Sequence, residues 1–97
     1  MAYKIIYKAY AERDLWELAD YLSDYSLSAA EKFLLAVKTK IERLKDTPLI
    51  YPLIDPGYGY RKMVVGRHIV IYMVNEQAKE VLILRVVHGK RDYQNNI

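Results

Sequence analysis

All three prolines of this 97-residue chain lie between residues 48 and 56, and this clustering divides the sequence into two unlike parts. Proline removes a backbone donor and fixes φ, so neither a regular helix nor a central strand is expected to run through such a segment. Gly57 and Gly59 follow, and residues 46–60 are therefore predicted to form a loop. Each part must then form its own secondary structure, and the two parts must pack together.

Before this loop, a short strand and two amphipathic helices are predicted. Residues Tyr3–Tyr7 are mostly β-branched or aromatic, which favours a strand. Apolar residues then recur at spacings of three and four, which indicates helices. The stripes are Ala11, Leu15, Leu18, Ala19 and Leu22 in the first helix, and Ala30, Phe33, Leu34, Val37, Ile41 and Leu44 in the second. Ser28 and Glu31 form a capping box, so the second helix is predicted to begin at Ser28 and to end near Asp46. The short link between the helices predicts an antiparallel hairpin.

After the loop, the sequence predicts three strands over residues 60–65, 68–74 and 80–88. The order is thus β-α-α-β-β-β. This order predicts a single α+β domain over residues 1–97, with the helical hairpin packed on one face of a four-stranded, mainly antiparallel sheet. The first strand has no hairpin partner, and both an edge and an inner position remain open for it.

The last of these strands continues into the charged segment "RVVHGKRDY", residues 85–93. Alternation along a strand places Leu82, Leu84 and Val86 on one face, and Val81, Ile83, Arg85 and Val87 on the other. A buried, unpaired arginine would cost several kcal/mol. Arg85 is therefore predicted to point to the open side of the sheet, away from the helices. His88 lies where the strand ends, and its side is not assigned.

Composition and charge exclude several classes of protein. With 53% hydrophobic and 28% charged residues, the chain is typical of a soluble globular domain. The sequence contains no apolar run long enough to span a bilayer, no signal-peptide pattern and no cysteine, so the cytoplasm is the expected location. Residues 1–59 hold eight basic and nine acidic residues, a net charge of −1, and residues 60–97 hold seven and three, a net charge of +4. A basic C-terminal part suits nucleic acid or an acidic partner, or is simply solvated charge on strand edges.

Together with these elements, the ending "LRVVHGKRDY" resembles the RelE/ParE superfamily, the toxins of bacterial type II toxin–antitoxin modules. The resemblance covers essentially the whole chain and implies the same fold. ParE-like members commonly end with an apolar strand, Arg-Val, His-Gly and Arg-Asp. The matching positions here are Arg85, Val86, His88, Gly89, Arg91 and Asp92.

The resemblance implies two different activities. ParE-like toxins, associated with plasmid stabilisation, inhibit growth by poisoning DNA gyrase, whereas RelE-like toxins are endoribonucleases that cut messenger RNA on the ribosome. The RelE pattern has two alternating lysines on the strand that here contains Arg61 and Met63, and Lys62 is out of phase with them. An arginine of that pattern falls at Ile69, and the functional tyrosine of the tail falls near Ile97. The nuclease set is thus incomplete, and the ParE-like activity is favoured.

These comparisons give a set of candidate residues. Arg61, Arg85, Arg91 and Asp92 are predicted to bind the target, with the three arginines around one concavity on the open face. If the chain is a nuclease, the catalytic candidates are Arg61, Arg85, His88, Arg91 and Tyr93. Trp16 lies beside the stripe of the first helix and is predicted either to bind an antitoxin helix or to cover the rim of the chain's own core.

The implied partners are a cognate antitoxin, in a hetero-oligomer, and either gyrase or the ribosome with its message. No cofactor, metal or membrane is expected. A family member that only binds its antitoxin is a further alternative.

Overall fold

The computed structural model describes residues 2–89, and the elements within it follow the predicted order with one addition. They are β1 (Lys4–Tyr7), α1 (Ala9–Ser23), α2 (Leu27–Glu42), a 3₁₀ turn (Arg43–Lys45), β2 (Leu53–Asp55), β3 (Tyr60–Val65), β4 (His68–Asn75) and β5 (Glu80–His88). None of the helices in this range is long and apolar enough to cross a membrane.

The sheet has five strands in the order β1-β5-β4-β3-β2, not the four that the sequence predicts. The additional strand, β2, lies within the predicted loop and pairs antiparallel with β3 at the edge of the sheet. An edge position tolerates the neighbouring prolines, because one side of an edge strand needs no ladder hydrogen bonds. The first strand, β1, occupies the opposite edge and runs parallel to β5. All other pairings are antiparallel.

Helix α2 begins one residue earlier than predicted. Ser26, not Ser28, is its N-cap, and the Ser26 hydroxyl accepts a hydrogen bond from the backbone N–H of Ala29 at 3.2 Å. Ser26 has the extended backbone that an N-cap residue requires. The predicted capping box is therefore wrong by two positions, although the helical hairpin itself is confirmed.

The two helices pack on one face of the sheet and form the main core with it, as predicted. The buried residues of this core are Ala11, Leu15, Val37, Ile41 and Leu44 from the helical part, and Met63, Val65, Val70, Tyr72, Val81, Ile83 and Val86 from the sheet. A smaller apolar cluster lies on the far face, where Ile54, Tyr60 and Leu84 pack around the buried Ile69, Ile71 and Val87. The far face of the sheet is therefore partly apolar and not a uniformly charged surface.

Candidate functional site

Arg85 reaches α1 and not the open side of the sheet, so its predicted orientation is wrong. Its Nε donates to Oδ2 of Asp14 at 2.7 Å, and its Nη2 donates to Oδ1 at 3.1 Å. The same Oδ2 accepts the backbone N–H of Val86 at 2.9 Å. The hydrogen bonds from Arg85 to the Asp14 carboxylate raise the pKa of Arg85 above its ordinary value, despite the opposing effect of burial. Asp14 and Arg85 together fasten α1 to β5.

Alternation placed Arg85 on the same face as Val81 and Ile83, which lie beneath the helices, and the error was to assume that an arginine on that face would be unpaired. The predicted face of Val86 was also wrong, because β5 has an irregularity. Tyr72 pairs with Ile83, but the preceding residue Ile71 pairs with Arg85, so Leu84 is an extra residue in the ladder. A bulge of this kind interrupts the simple alternation of side chains. Val86 therefore joins Val81 and Ile83 in the main core beneath the helices, instead of sharing a face with Leu84.

Asp14 differs from the other acidic residues of α1, Glu12, Glu17 and Asp20, which are exposed. In the structure it is buried, with 9% of its surface exposed. Its position supplied a usable signal, because Asp14 follows Ala11 by three residues and therefore falls on the apolar stripe. An acidic residue on such a stripe predicts a buried partner with a positive charge.

Arg61 also faces the helix side, where it holds the loop that follows the 3₁₀ turn. Its Nη1 donates to the carbonyl oxygens of Tyr51 at 2.7 Å and Leu49 at 3.3 Å. Its cross-strand partner Tyr72 is fully buried, and the Tyr72 hydroxyl donates to the carbonyl of Pro48 at 2.7 Å. Burial is the main cause that raises the pKa of Tyr72 to about 12. Arg61 and Arg85 thus do not form the predicted concavity on the far face.

Strand β3 presents Lys62 to the far face instead of Arg61. Lys62 pairs with Ile71, which belongs to the far-face cluster, whereas Met63 is completely buried in the main core. Tyr60 lies on the same side as Lys62 and stacks on Tyr58, with ring centroids 5.8 Å apart and an angle of 11° between the planes. Arg61 and Met63, the positions that match the two alternating lysines of the RelE pattern, therefore both face the helices and not the open face of the sheet.

His88 lies at the end of β5, opposite His68 at the start of β4. The two imidazole rings are 5.4 Å apart at an angle of 76°, and the Phe33 ring of α2 lies 4.7 Å from the His68 ring. The contact with α2 places this pair at the helix side of the sheet end. Burial, and to a smaller extent His88, lowers the pKa of His68.

Gly89 closes the turn of the chain after β5. Its N–H donates to the carbonyl of Arg67 at 2.7 Å, and a Cβ at this position would lie 3.1 Å from the same oxygen. Glycine thus fits a close backbone approach that a side chain would crowd. The candidate residues Arg91, Asp92 and Tyr93 follow Gly89 and lie outside the described residues.

Trp16 is highly exposed, with 78% of its surface accessible. It borders a groove of about 350 Å³ between the two helices and the end of β1. The groove has an apolar floor with one acidic and one basic residue on its walls. It is lined by Tyr7, Glu12, Leu15, Trp16, Ala19, Leu34 and Lys38. Trp16 therefore does more than cover the rim of the core, since it forms one wall of an open apolar groove.

Within residues 2–89, no group of three or more histidine, aspartate or glutamate side chains is arranged to hold a metal ion. Of the candidate residues that lie in this range, Arg61 and Arg85 make structural contacts, and His88 pairs with His68.

Comparison with known proteins gives one family and several similar structures. A family model described as the ParE toxin of the type II toxin–antitoxin system parDE matches residues 5–93, which include Arg91, Asp92 and Tyr93. No curated protein sequence matches the chain.

Three solved structures share the fold. A chain of the chromosomal ParDE toxin–antitoxin system from P. aeruginosa has a TM-score of 0.77 at 17% identity, over 92% of this chain and 98% of that one. A mutant of the E. coli toxin RelE in the free state has a TM-score of 0.71 at 15% identity, over 99% of this chain and 93% of that one. A chain of the RelBE2 toxin–antitoxin complex from Mycobacterium tuberculosis has a TM-score of 0.61 at 23% identity, over 91% of this chain and 99% of that one.

Proposed function

Because this chain belongs to the ParE family of toxins of type II toxin–antitoxin systems, we propose that it inhibits growth by binding DNA gyrase in the cytoplasm and that a cognate antitoxin neutralises it. The observation that carries this proposal over messenger RNA cleavage is the placement of the candidate cations. Arg85 is paired with Asp14, and Arg61 is bound to the carbonyl of Tyr51. Phosphodiester cleavage needs a positioned base, an acid and charge stabilisation aimed at the reacting phosphate. Neither arginine is directed towards an open surface where such a phosphate would lie.

The target-binding residues of this proposal are then concentrated after Gly89. Arg91 and Asp92 remain the proposed contacts with gyrase, whereas Arg61 and Arg85 support the sheet from which that segment departs. Gly89 fixes the point of departure through its bond to Arg67. The family match extends through this segment to residue 93, which supports a role for it.

The test is a supercoiling assay with purified gyrase and relaxed plasmid. We expect the purified chain to inhibit supercoiling in proportion to its concentration, and to lose this effect when the antitoxin is added first. In parallel, the chain is added to ribosomes carrying a defined message. Cleavage of that message, with supercoiling unaffected, would contradict the proposal and establish the RelE-like activity.

The antitoxin is proposed to bind the groove beside Trp16 with an amphipathic helix. The groove is largely apolar and is open along the helical hairpin, so the apolar face of one helix can enter it. Lys38 and Glu12 on its walls favour a partner helix that carries both an acidic and a basic residue beside its apolar stripe. An exposed tryptophan beside such a groove is the kind of residue that dominates binding energy.

Replacement of Trp16 by alanine is expected to weaken antitoxin binding by about 30-fold or more, which corresponds to a loss of at least about 2 kcal/mol. Isothermal titration calorimetry with the purified antitoxin measures the change. Tyr58→Ala is the matched control, because Tyr58 is similarly exposed but lies next to β3 and away from the groove. An affinity for Trp16→Ala within a few-fold of wild type would remove the groove from the interface.

A further inference from the structure

The ends of β4 and β5 bring two imidazoles together in a defined geometry. Gly89 donates its N–H to the carbonyl of Arg67, so Arg67 and Gly89 face each other as a hydrogen-bonded pair of the antiparallel ladder. Pairs alternate along such a ladder, which makes His68 and His88 a non-hydrogen-bonded pair. In such pairs the two Cα atoms are only about 4.5 Å apart, and the side chains lie closer than at any other cross-strand position.

The spacing of the two rings fits a shared ion. Two imidazoles that ligate one tetrahedral ion, with metal–nitrogen distances of about 2.1 Å, have ring centroids about 5 Å apart. The centroids of His68 and His88 are 5.4 Å apart, and the ring planes are inclined at 76° rather than stacked. The distance between the rings is thus close to the value that a shared ion requires, and rotation of the side chains about χ1 and χ2 would direct one nitrogen of each ring at a common point.

We infer that His68 and His88 form a two-histidine chelate for a transition-metal ion of the Zn²⁺, Ni²⁺ and Cu²⁺ class. The pair faces an open cleft of about 590 Å³, so water can complete the coordination of the ion. The described residues that line the cleft are Val64, Gly66, Arg67, His68, Ile69, His88 and Gly89, and none of these carries a carboxylate. Imidazole donors without carboxylates select these ions over Mg²⁺ and Ca²⁺, which require oxygen ligands.

Neighbouring side chains restrict the ring of His68. The Phe33 ring of α2 packs against it, with the centroids 4.7 Å apart. The exposed Arg67 lies next to His68 in the β3–β4 turn and opposes a cation there. The bound ion would tie the end of β5 to the start of β4, immediately before the segment proposed to bind the target.

The chain is well suited to a direct test, because it contains only these two histidines and no cysteine. Untagged protein is titrated calorimetrically with ZnCl₂, NiCl₂ or CuCl₂, and with MgCl₂ and CaCl₂ for comparison. We expect one ion per chain with a dissociation constant on the order of 10 µM, since two protein ligands hold an ion less tightly than the four of a structural site. Cu²⁺ should bind most tightly, and Mg²⁺ and Ca²⁺ should not bind.

Three variants test the assignment of the ligands. His68→Gln and His88→Gln should each weaken Zn²⁺ binding by about tenfold or more, because a single imidazole does not chelate. Arg67→Gln is the matched control in the same turn, and it should bind Zn²⁺ at least as tightly as wild type, because it keeps both imidazoles and removes a positive charge. Wild-type affinity in either histidine variant would overturn the inference.

Histidine-selective NMR of the unaltered protein gives a second readout that does not depend on how the variants fold. Addition of ZnCl₂ should shift the imidazole signals of both histidines together and to the same saturation point. A shift of one imidazole alone, or of neither at millimolar ZnCl₂, would overturn the inference and leave the pair as an edge-to-face ring contact.

Discussion

Asp14→Ala is expected to lower the free energy of unfolding by about 3 kcal/mol, because it leaves a partly buried guanidinium and a buried backbone N–H without their acceptor. Asp14 accepts hydrogen bonds from Arg85 at 2.7 and 3.1 Å and from the N–H of Val86 at 2.9 Å. For a domain of this size, such a loss lowers the melting temperature by more than about 10 °C. Urea denaturation followed by circular dichroism measures the change. The free energy of unfolding of Asp14→Asn should lie between those of wild type and Asp14→Ala, because an amide keeps one acceptor oxygen but has no charge.

The matched control lies on the same helix. Arg13 and Glu17 form an ion pair at 3.0 Å, but their side chains are 72% and 65% exposed. Glu17→Ala should therefore change the free energy of unfolding by about 0.5 kcal/mol or less. If Asp14→Ala cost no more than this control, the pair with Arg85 would be a surface contact and the account of the α1–β5 junction would be wrong.

The same reasoning applies to Arg85→Ala, which removes the other partner of this pair. We expect it to destabilise the fold, so that any loss of toxicity in this variant reports unfolding and not a lost contact with the target. A double-mutant cycle with Asp14→Ala should give a large coupling energy, because the two side chains contact each other directly.

Arg91→Ala is expected to abolish growth inhibition while the melting temperature and antitoxin affinity stay close to those of the wild type. This expectation rests on the proposed role of Arg91 in binding gyrase and on the family match that extends to residue 93. Cells expressing the variant without antitoxin should survive as well as cells carrying an empty vector. A cationic contact also predicts weaker target binding at high salt, since screening reduces its attraction.

Arg13→Ala is the control for the survival assay, because it removes an exposed arginine from α1 and should kill as efficiently as wild type. His88→Ala is tested beside it. If Arg91→Ala and His88→Ala both kill as well as wild type, neither the end of β5 nor Arg91 after it carries the toxic activity.

The sequence was sufficient to predict the helical hairpin, four of the five strands in their order along the chain, and the fold class, because these depend on periodicity and on the proline-rich division of the chain. It did not reveal β2, because the prolines at positions 48, 52 and 56 disfavoured regular structure around the three residues Leu53–Asp55. Only the neighbouring β3 makes that segment a strand, and this is a tertiary effect that local patterns do not contain.

The candidate site was less predictable than the fold. The face that Val86 occupies depends on a bulge at Leu84, in a run of apolar residues that contains no glycine or proline to mark it. The prediction also assumed that a buried arginine would lack a partner, whereas Asp14 lies 71 residues away in the sequence and directly beside it in space. Periodicity identifies the face of an element, but it does not identify charge pairs between distant elements.

The parallel pairing of β1 with β5 determines when the protein can fold during its translation. The residues of β1, at positions 4–7, and the Asp14 carboxylate both find their partners in residues 80–88, more than 70 residues further along the chain. The first strand and first helix therefore cannot reach their native contacts while the chain is still short. Contacts of such high sequence separation slow folding and leave apolar surface exposed in the meantime. A nascent chain of this protein therefore cannot complete its fold until β5 has emerged from the ribosome.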